Sequence, residues 1–358
     1  MIVYVGTTTG AGKAEGIGVF RMDESTGGLT HIQTVPAQNP SFVALHPDGK
    51  SLYAVTRGSV GGADGAQPAS FVEAFGIDPK EHTLTALNKQ SSGGQSPAYV
   101  SVHPTGKCVF AANYGSGHVA SLPVRQDGSI GEASSIILHE GRSVDARRQE
   151  GPHAHFIAPD PSGERVFACD LGCDRVFVYR VDAARATLTP NEVPYAQVSS
   201  AAGPRHLAFH PSGKYVFVIN EMDSTLSSFA YDASRGAMEI RDTRTTLPEH
   251  FTGRSHTAQV VVHPNGKFVY GSNRGHDSIA IFGIDEERGK LRPMGDESTQ
   301  GKTPRNFNID PSGTLLLAAN QDSNTIVPFR IDGATGKLES TGAVTETPAP
   351  VCIQFAAE

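Results

Sequence analysis

Gly203-Pro204-Arg205-His206-Leu207-Ala208-Phe209-His210-Pro211-Ser212-Gly213-Lys214, running on into Tyr215-Val216-Phe217-Val218-Ile219-Asn220-Glu221, decides the fold. Two short apolar runs flank His-Pro-Ser-Gly. Pro211 suits the corner of a type I turn, Ser212 the polar position beside it, and Gly213 the position where the backbone turns to positive φ. The unit reads as two strands joined by a tight turn. The turn recurs as His46-Pro47-Asp48-Gly49, His103-Pro104-Thr105-Gly106, Asp160-Pro161-Ser162-Gly163, His263-Pro264-Asn265-Gly266 and Asp310-Pro311-Ser312-Gly313. Six copies at intervals of 47 to 57 residues mark an array of supersecondary units.

Each turn follows a strand that begins six positions earlier, at Pro40, Pro97, Ala154, Pro204, Thr257 and Pro304. A seventh start, Pro350, has no turn after it. The strand after the turn appears seven times, from Val3-Tyr4-Val5-Gly6 to Leu316-Leu317-Ala318-Ala319. The C-terminus thus supplies a first strand without its partner, and the N-terminus a second strand without its predecessor. A third strand follows each time, such as Arg175-Val176-Phe177-Val178-Tyr179, then a short Leu-containing fourth, such as Gly28-Leu29-Thr30 or Gly336-Lys337-Leu338. Four antiparallel strands in each of seven units predict an all-β, seven-bladed β-propeller. The two chain ends share one blade, which closes the ring and removes the open edge of the array. Residues 1–358 then form one domain. Insertions fall at Gly58–Ser70, which is Gly- and Ala-rich and expected to be mobile, and at Leu138–Gly151.

Composition narrows the function. The 358 residues carry 39 Gly, 23 Pro and a net charge of -7, with no basic stripe, so nucleic-acid binding has little support. No apolar run approaches the roughly 20 residues of a membrane-spanning helix, and the N-terminus reads as a strand, not a signal peptide. Cys108, Cys169, Cys173 and Cys352 fit no zinc spacing; buried free thiols in a reducing cytoplasm are the expectation. His153-Ala154-His155 looks like a metal pair, since i,i+2 side chains on a strand point the same way, but no third ligand is evident. No metal or cofactor is therefore expected.

Repeats separate scaffold from chemistry. Positions that stay alike from blade to blade are structural, and positions that vary among strongly polar residues are candidates. The residue after each strand start is Ser41, Ala98, His155, Arg205, Ala258, Arg305 or Val351. The residue just past the second strand is Thr8, Arg57, Tyr114, Leu171, Glu221, Arg274 or Gln321. In an antiparallel hairpin the start of one strand lies beside the end of the next, so both positions meet at one mouth of the central channel. Several arginines converging there call for an anion. By contrast, His46, His103, His210 and His263 recur at one place and read as turn residues. The Asn, Asp or Thr before the second variable position (Asn113, Asp170, Asn220) reads as a local turn closure.

Arg148-Gln149-Glu150-Gly151-Pro152-His153-Ala154-His155, Gly203-Pro204-Arg205-His206, Asn220-Glu221, Ser272-Asn273-Arg274-Gly275 and Pro304-Arg305-Asn306-Phe307 resemble the signature segments of the seven-bladed lactonase family. That family includes bacterial 6-phosphogluconolactonases and fungal carboxy-cis,cis-muconate cyclases. The resemblance covers essentially the whole chain. It implies a metal-independent enzyme with His155, Arg205, Glu221 and Arg274 as the catalytic candidates. Arg305, Arg57, His153, His206, Gln149 and Gln321 are the expected substrate contacts.

One reading is hydrolysis of 6-phospho-D-glucono-1,5-lactone in the pentose phosphate pathway, with Glu221 or His155 as base and an arginine on the phosphate. A second is lactonisation of a carboxymuconate, or hydrolysis of another lactone. A third, from a different class, is a non-catalytic interaction platform. The partner expected is a small anionic lactone, with no nucleic acid or membrane, in a cytoplasmic monomer or weak homo-oligomer. Glu221→Gln and Arg274→Ala are expected to abolish turnover and leave folding nearly intact.

Overall fold

In the computed structural model, which describes residues 1–9, 14–60 and 67–356, the chain forms seven antiparallel sheets and, among those residues, no helix. The innermost strands of blades 1 to 6 are Phe42–Leu45, Pro97–Val102, Ala154–Pro159, Pro204–Phe209, His256–Val262 and Pro304–Ile309. Blade 7 takes its inner strand, Pro350–Ala356, from the C-terminus and the other three, starting with Ile2–Thr7, from the N-terminus. Its register runs from Ile2 opposite Ala356 to Gly6 opposite Cys352. Each inner strand packs against the next, and Pro350–Ala356 packs against Phe42–Leu45, so the ring closes.

The second strands carry the core. Cys108–Asn113, Arg165–Asp170, Tyr215–Asn220 and Leu315–Asn320 are buried at every position, because each blade is covered on both faces by its neighbours. That explains their near-continuous apolar runs. Burying one such Val, Leu or Phe side chain contributes about 1.5–3 kcal/mol. All four cysteines are free and buried. The fourth strands lie at the outer edge and are largely polar, so only their first leucine showed in the sequence; Leu29–Pro36 and Leu291–Ser298 run for 8 residues each.

The recurring turns are joints between blades. Nε2 of His46, His103, His210 and His263 donates to the carbonyl of Gly106, Gly163, Gly266 and Gly313, each the turn glycine of the following blade, at 2.8–3.0 Å. Nδ1 of the same rings accepts the N–H two residues on, which selects the Nε2–H tautomer. A Cβ on Gly163 would lie 2.8 Å from the His103 ring, whereas one on Gly213 would meet nothing within 4 Å. Gly213 follows the blade whose turn begins with Asp160 instead of histidine, so no ring reaches it.

The Asn residues at the ends of the second strands work over a longer range than a local turn. Asn113 accepts from Ser92 Oγ at 2.6 Å and donates to its carbonyl at 2.8 Å. Asn273 makes the equivalent pair with Thr246 at 2.6 and 3.0 Å. Each ties its blade to the connection that arrives from the blade before.

At their other ends the inner strands carry β-bulges. Pro97 pairs Asn113 and Tyr99 pairs Ala112, leaving Ala98 outside the ladder. Register shifts at the same place free His155, Arg205, Arg305 and Val351. A bulge sets two residues against one on the partner and re-aims their side chains. In these five blades the residue after the strand start therefore leaves the ladder and faces the channel mouth.

The insertions differ from expectation. The flanks of the first are strand, with Arg57 opposite Ser70 and Gly58 opposite Ala69. Its expected mobile centre, residues 61–66, lies outside the described residues. The second leaves the strand Ser135–Leu138 and returns over the channel mouth at Arg148.

Candidate active site

A cavity with an empty volume of about 790 Å³, measured to its open mouth, sits at that end of the channel. The bulge positions supply His155, Arg205 and Arg305, and the ends of the second strands supply Arg57, Tyr114, Glu221 and Arg274. His206, next to Arg205 in the bulge, also lines it. One layer further in, Phe42 and Tyr99 lie 3.9 Å apart between ring centroids, with Phe156 4.4 Å and His206 5.0 Å from Tyr99. These rings pack across the channel beneath the polar layer.

Glu221 is the centre of the polar layer. Its Oε2 lies 3.0 Å from Arg205 Nε and 2.9 Å from Arg274 Nη2, and its Oε1 2.8 Å from Arg148 Nη2. Burial by itself would raise this carboxyl, but Arg274 and Arg205 outweigh it and hold Glu221 well below the usual carboxylate range. Arg205, 2% exposed, also donates to the Ala258 carbonyl at 2.6 Å, and Arg274 to the Thr257 carbonyl at 2.7 Å. Arg274 Nη1 has no acceptor among the described residues, and its Nε is buried without one.

His155 is buried beside this cluster. Burial first, then the positive charge of Arg205, keeps its imidazole well below the ordinary value of 6.5, so it is neutral near pH 7. Its Nδ1 is sealed from solvent with no partner, which leaves Nε2 as the nitrogen open to the cavity. Tyr114 at 5.5 Å and His206 at 5.1 Å, between ring centroids, hold the ring. His206 is tied down on both sides: Arg205 Nη1 donates to its Nε2 at 3.2 Å, and its Nδ1 donates to Gln259 Oε1 at 2.5 Å.

Two other guanidiniums have no protein partner. Among the described residues the side chains of Arg57 and Arg305 form no hydrogen bond or ion pair, and Arg57 Nε is buried without an acceptor. Burial, then Arg274, pushes Arg305 down to about 10, and Arg57 is close enough to contribute. Five guanidiniums thus face the cavity against the single carboxylate of Glu221. In a chain with net charge -7, this local excess is a trap for an anion.

Three expected contacts do not line the cavity. Gln149 is fully buried and spends its amide on the Leu171 carbonyl at 2.9 Å and Asp174 Oδ1 at 2.8 Å. His153 precedes the bulge, so it does not share a face with His155. It stacks on Tyr114 at 4.8 Å and bonds the Tyr114 carbonyl at 2.9 Å. Gln321 occupies the same register as Glu221 but carries no charge for the arginines to hold.

The register comparison also missed Arg148, because a loop delivers it. Gln149 and Ser143 fasten that loop to Asp174, and Asp174 accepts the N–H groups of Ala201 and Gly203, just ahead of Arg205. Arg148 then reaches Tyr114 Oη at 3.0 Å as well as Glu221. The signal available was the density of charge at Arg147, Arg148 and Glu150, directly before His153.

Comparison with known proteins agrees with the seven-bladed fold. The model of the family described as Lactonase, 7-bladed beta-propeller matches residues 2–355. The chain is 34% identical over 355 residues to the 6-phosphogluconolactonase of Bacillus subtilis (strain 168), covering 99% of this chain and 98% of that protein. It is also 34% identical over 313 residues to a 6-phosphogluconolactonase of Formosa agariphila, covering 86% of each. Among solved structures, a periplasmic gluconolactonase of Pseudomonas aeruginosa superposes with a TM-score of 0.91 at 30% identity, over 99% of both chains. The chain belongs to the seven-bladed β-propeller lactonase family and is a hydrolase acting on a lactone ester.

Proposed function

We propose that the protein hydrolyses 6-phospho-D-glucono-1,5-lactone to 6-phosphogluconate. The observation that carries this reading is the pair of unpartnered guanidiniums, Arg57 and Arg305, in the cavity that holds a neutral His155. A phosphate accepts charge-assisted hydrogen bonds from such planar forks.

In this reading His155 Nε2 accepts a proton from water as the water oxygen attacks the lactone carbonyl carbon. The carbonyl oxygen becomes an oxyanion facing the uncommitted edge of Arg274. Collapse re-forms the C=O bond and breaks the bond to the ring oxygen, which leaves with the proton from His155. Glu221 is not the base: both its oxygens are engaged by arginines, and its charge keeps Arg205 and Arg274 in place. A weakly basic imidazole is sufficient, because δ-lactones already open in water. Carboxymuconate lactonisation is less well served, since it needs a proton donor and the imidazole here is unprotonated at neutral pH.

The test is hydrolysis of freshly generated 6-phosphogluconolactone by EDTA-treated protein, with unphosphorylated glucono-1,5-lactone in parallel and the spontaneous rate subtracted. The reading predicts a strong preference for the phosphorylated lactone. Equal rates, or preference for the neutral one, would overturn it.

A further inference from the structure

The bulge positions divide the ring into two arcs. In blades 3 to 6 the mouth is furnished with His155, Arg205 and Arg305, and in blade 5, where the bulge register holds Ala258, Arg274 takes over from the end of the second strand. Ala258 itself is fully buried and does not reach the cavity. In blades 7, 1 and 2 the same register holds Val351, Ser41 and Ala98, and all three line the cavity. The small residues are consecutive around the ring, so the space they leave is one continuous seat opposite the reactive groups.

The contents of the two arcs fix how a lactone lies. The base and the oxyanion donor must both reach the carbonyl at near-contact distance, about 3–3.5 Å. The rest of the ring then extends away from them. In the furnished arc Arg205 and Arg274 are already bonded to Glu221, and Arg205 is closed over by Glu221, His206 and the Ala258 carbonyl. At the bulge register the other arc carries only the small side chains of Ser41, Ala98 and Val351, with Arg57 and Tyr114 entering from the ends of the second strands. Arg305 on blade 6 and Arg57 on blade 1 stand on either side of blade 7, so Val351 lies beneath the gap between the two unpartnered guanidiniums.

We propose that Ser41, Ala98 and Val351 are specificity-determining residues: they form the seat for the unreactive carbons of the lactone, and their small size sets the largest ring substituents accepted. A single sugar ring fits such a seat, and a ring bearing a second sugar does not. The inference rests on the cavity's being the lactone site and not on the phosphate.

The test is Ala98→Leu and Ser41→Leu, with Ala98→Ser as the conservative control. Neither leucine variant gives up a hydrogen bond, since Ala98 has no polar group and Ser41 Oγ has no partner. KM and kcat are measured on whichever of the two lactones the wild-type protein hydrolyses, with the melting temperature alongside. A misfit of methylene size in a pocket is worth roughly 10–200-fold, so each leucine variant should raise KM by about 10-fold or more. The melting temperature of Ala98→Leu should stay near wild type, and Ala98→Ser should raise KM less than either leucine variant. An unchanged KM in both leucine variants overturns the inference, as does an equal loss in Ala98→Ser. Failure of the phosphate reading shows separately, as a wild-type protein without preference for the phosphorylated lactone.

Discussion

The two ends of an inner strand lie only six residues apart, yet they obey opposite rules. At the turn end, His103 and His210 do the same thing in different blades: each donates to the turn glycine of the next. At the bulge end, His155 and Arg205 do different things in one cavity, and Ala98 leaves room. Repetition at one end joins blades into a ring; its breakdown at the other builds a site in which each blade contributes a different group. The contrast is physical. A joint must be satisfied in every blade, whereas a bulge releases a residue from the ladder and from the need to pair.

The largest effect should come from Glu221→Gln. An expectation of lost turnover with intact folding does not survive the geometry, because the carboxylate also holds three arginines, one of them 2% exposed. Breaking a buried pair from one side costs about 3–5 kcal/mol. Turnover should vanish and the melting temperature should fall. A variant that melts like wild type would mean that Glu221 is not the anchor of the cluster.

Next comes His155→Gln, which removes the proposed base without adding charge. General-base catalysis is worth about 10²–10⁴-fold, and kcat should fall within that range. In the wild type the base form persists below the ordinary imidazole value, so kcat/KM, corrected for spontaneous hydrolysis, should stay level as pH falls from 8 to 6.5. A half-maximal rate at or above pH 6.5 would assign the proton to another group.

Stability has the same sign. Burial and Arg205 depress His155 and His206 in the folded protein, so the unfolded chain takes up protons first as pH drops through 6.5. Glu221, also depressed, loses its stabilising contribution as pH falls from its ordinary 4.5 toward its own lower value. The melting temperature should therefore fall progressively from pH 6.5 downward, and a rise over that range would contradict both assignments.

Gly163→Ala and Gly213→Ala sharpen the comparison at the turn end. Both glycines sit at φ near 70°. Each variant should lose about 1–2 kcal/mol to left-handed strain. Only Gly163→Ala also drives a Cβ into His103, which adds roughly 1–3 kcal/mol of overpacking. Equal losses in chemical denaturation would show that the histidine joint yields freely.

Much of this was legible in the chain because the propeller repeats it. Reading seven copies against one another was enough to bring His155, Arg205, Glu221, Arg274, Arg305 and Arg57 to one mouth, and all six line the cavity. Three things escaped for physical reasons. The bulge breaks strict alternation, so His153 and His155 part company although they stand two apart. Arg148 arrives on a non-repeating loop whose path depends on Asp174, and no periodicity reports on that. Gln149 looks like a polar group beside the site, but its place is set by a buried backbone that needs its amide.

The most direct test of the central claim, that residues breaking the repeat serve the substrate and not the scaffold, is Arg305→Ala assayed on both lactones together with its melting temperature. Arg305 has no protein partner to lose and repels Arg274, so the melting temperature should hold or rise. KM for the phosphorylated lactone should rise by about 10²-fold, the scale of a charge-assisted contact of roughly 3 kcal/mol, with the unphosphorylated lactone barely affected. Equal losses on both lactones, or a drop in melting temperature with KM unchanged, would contradict the account.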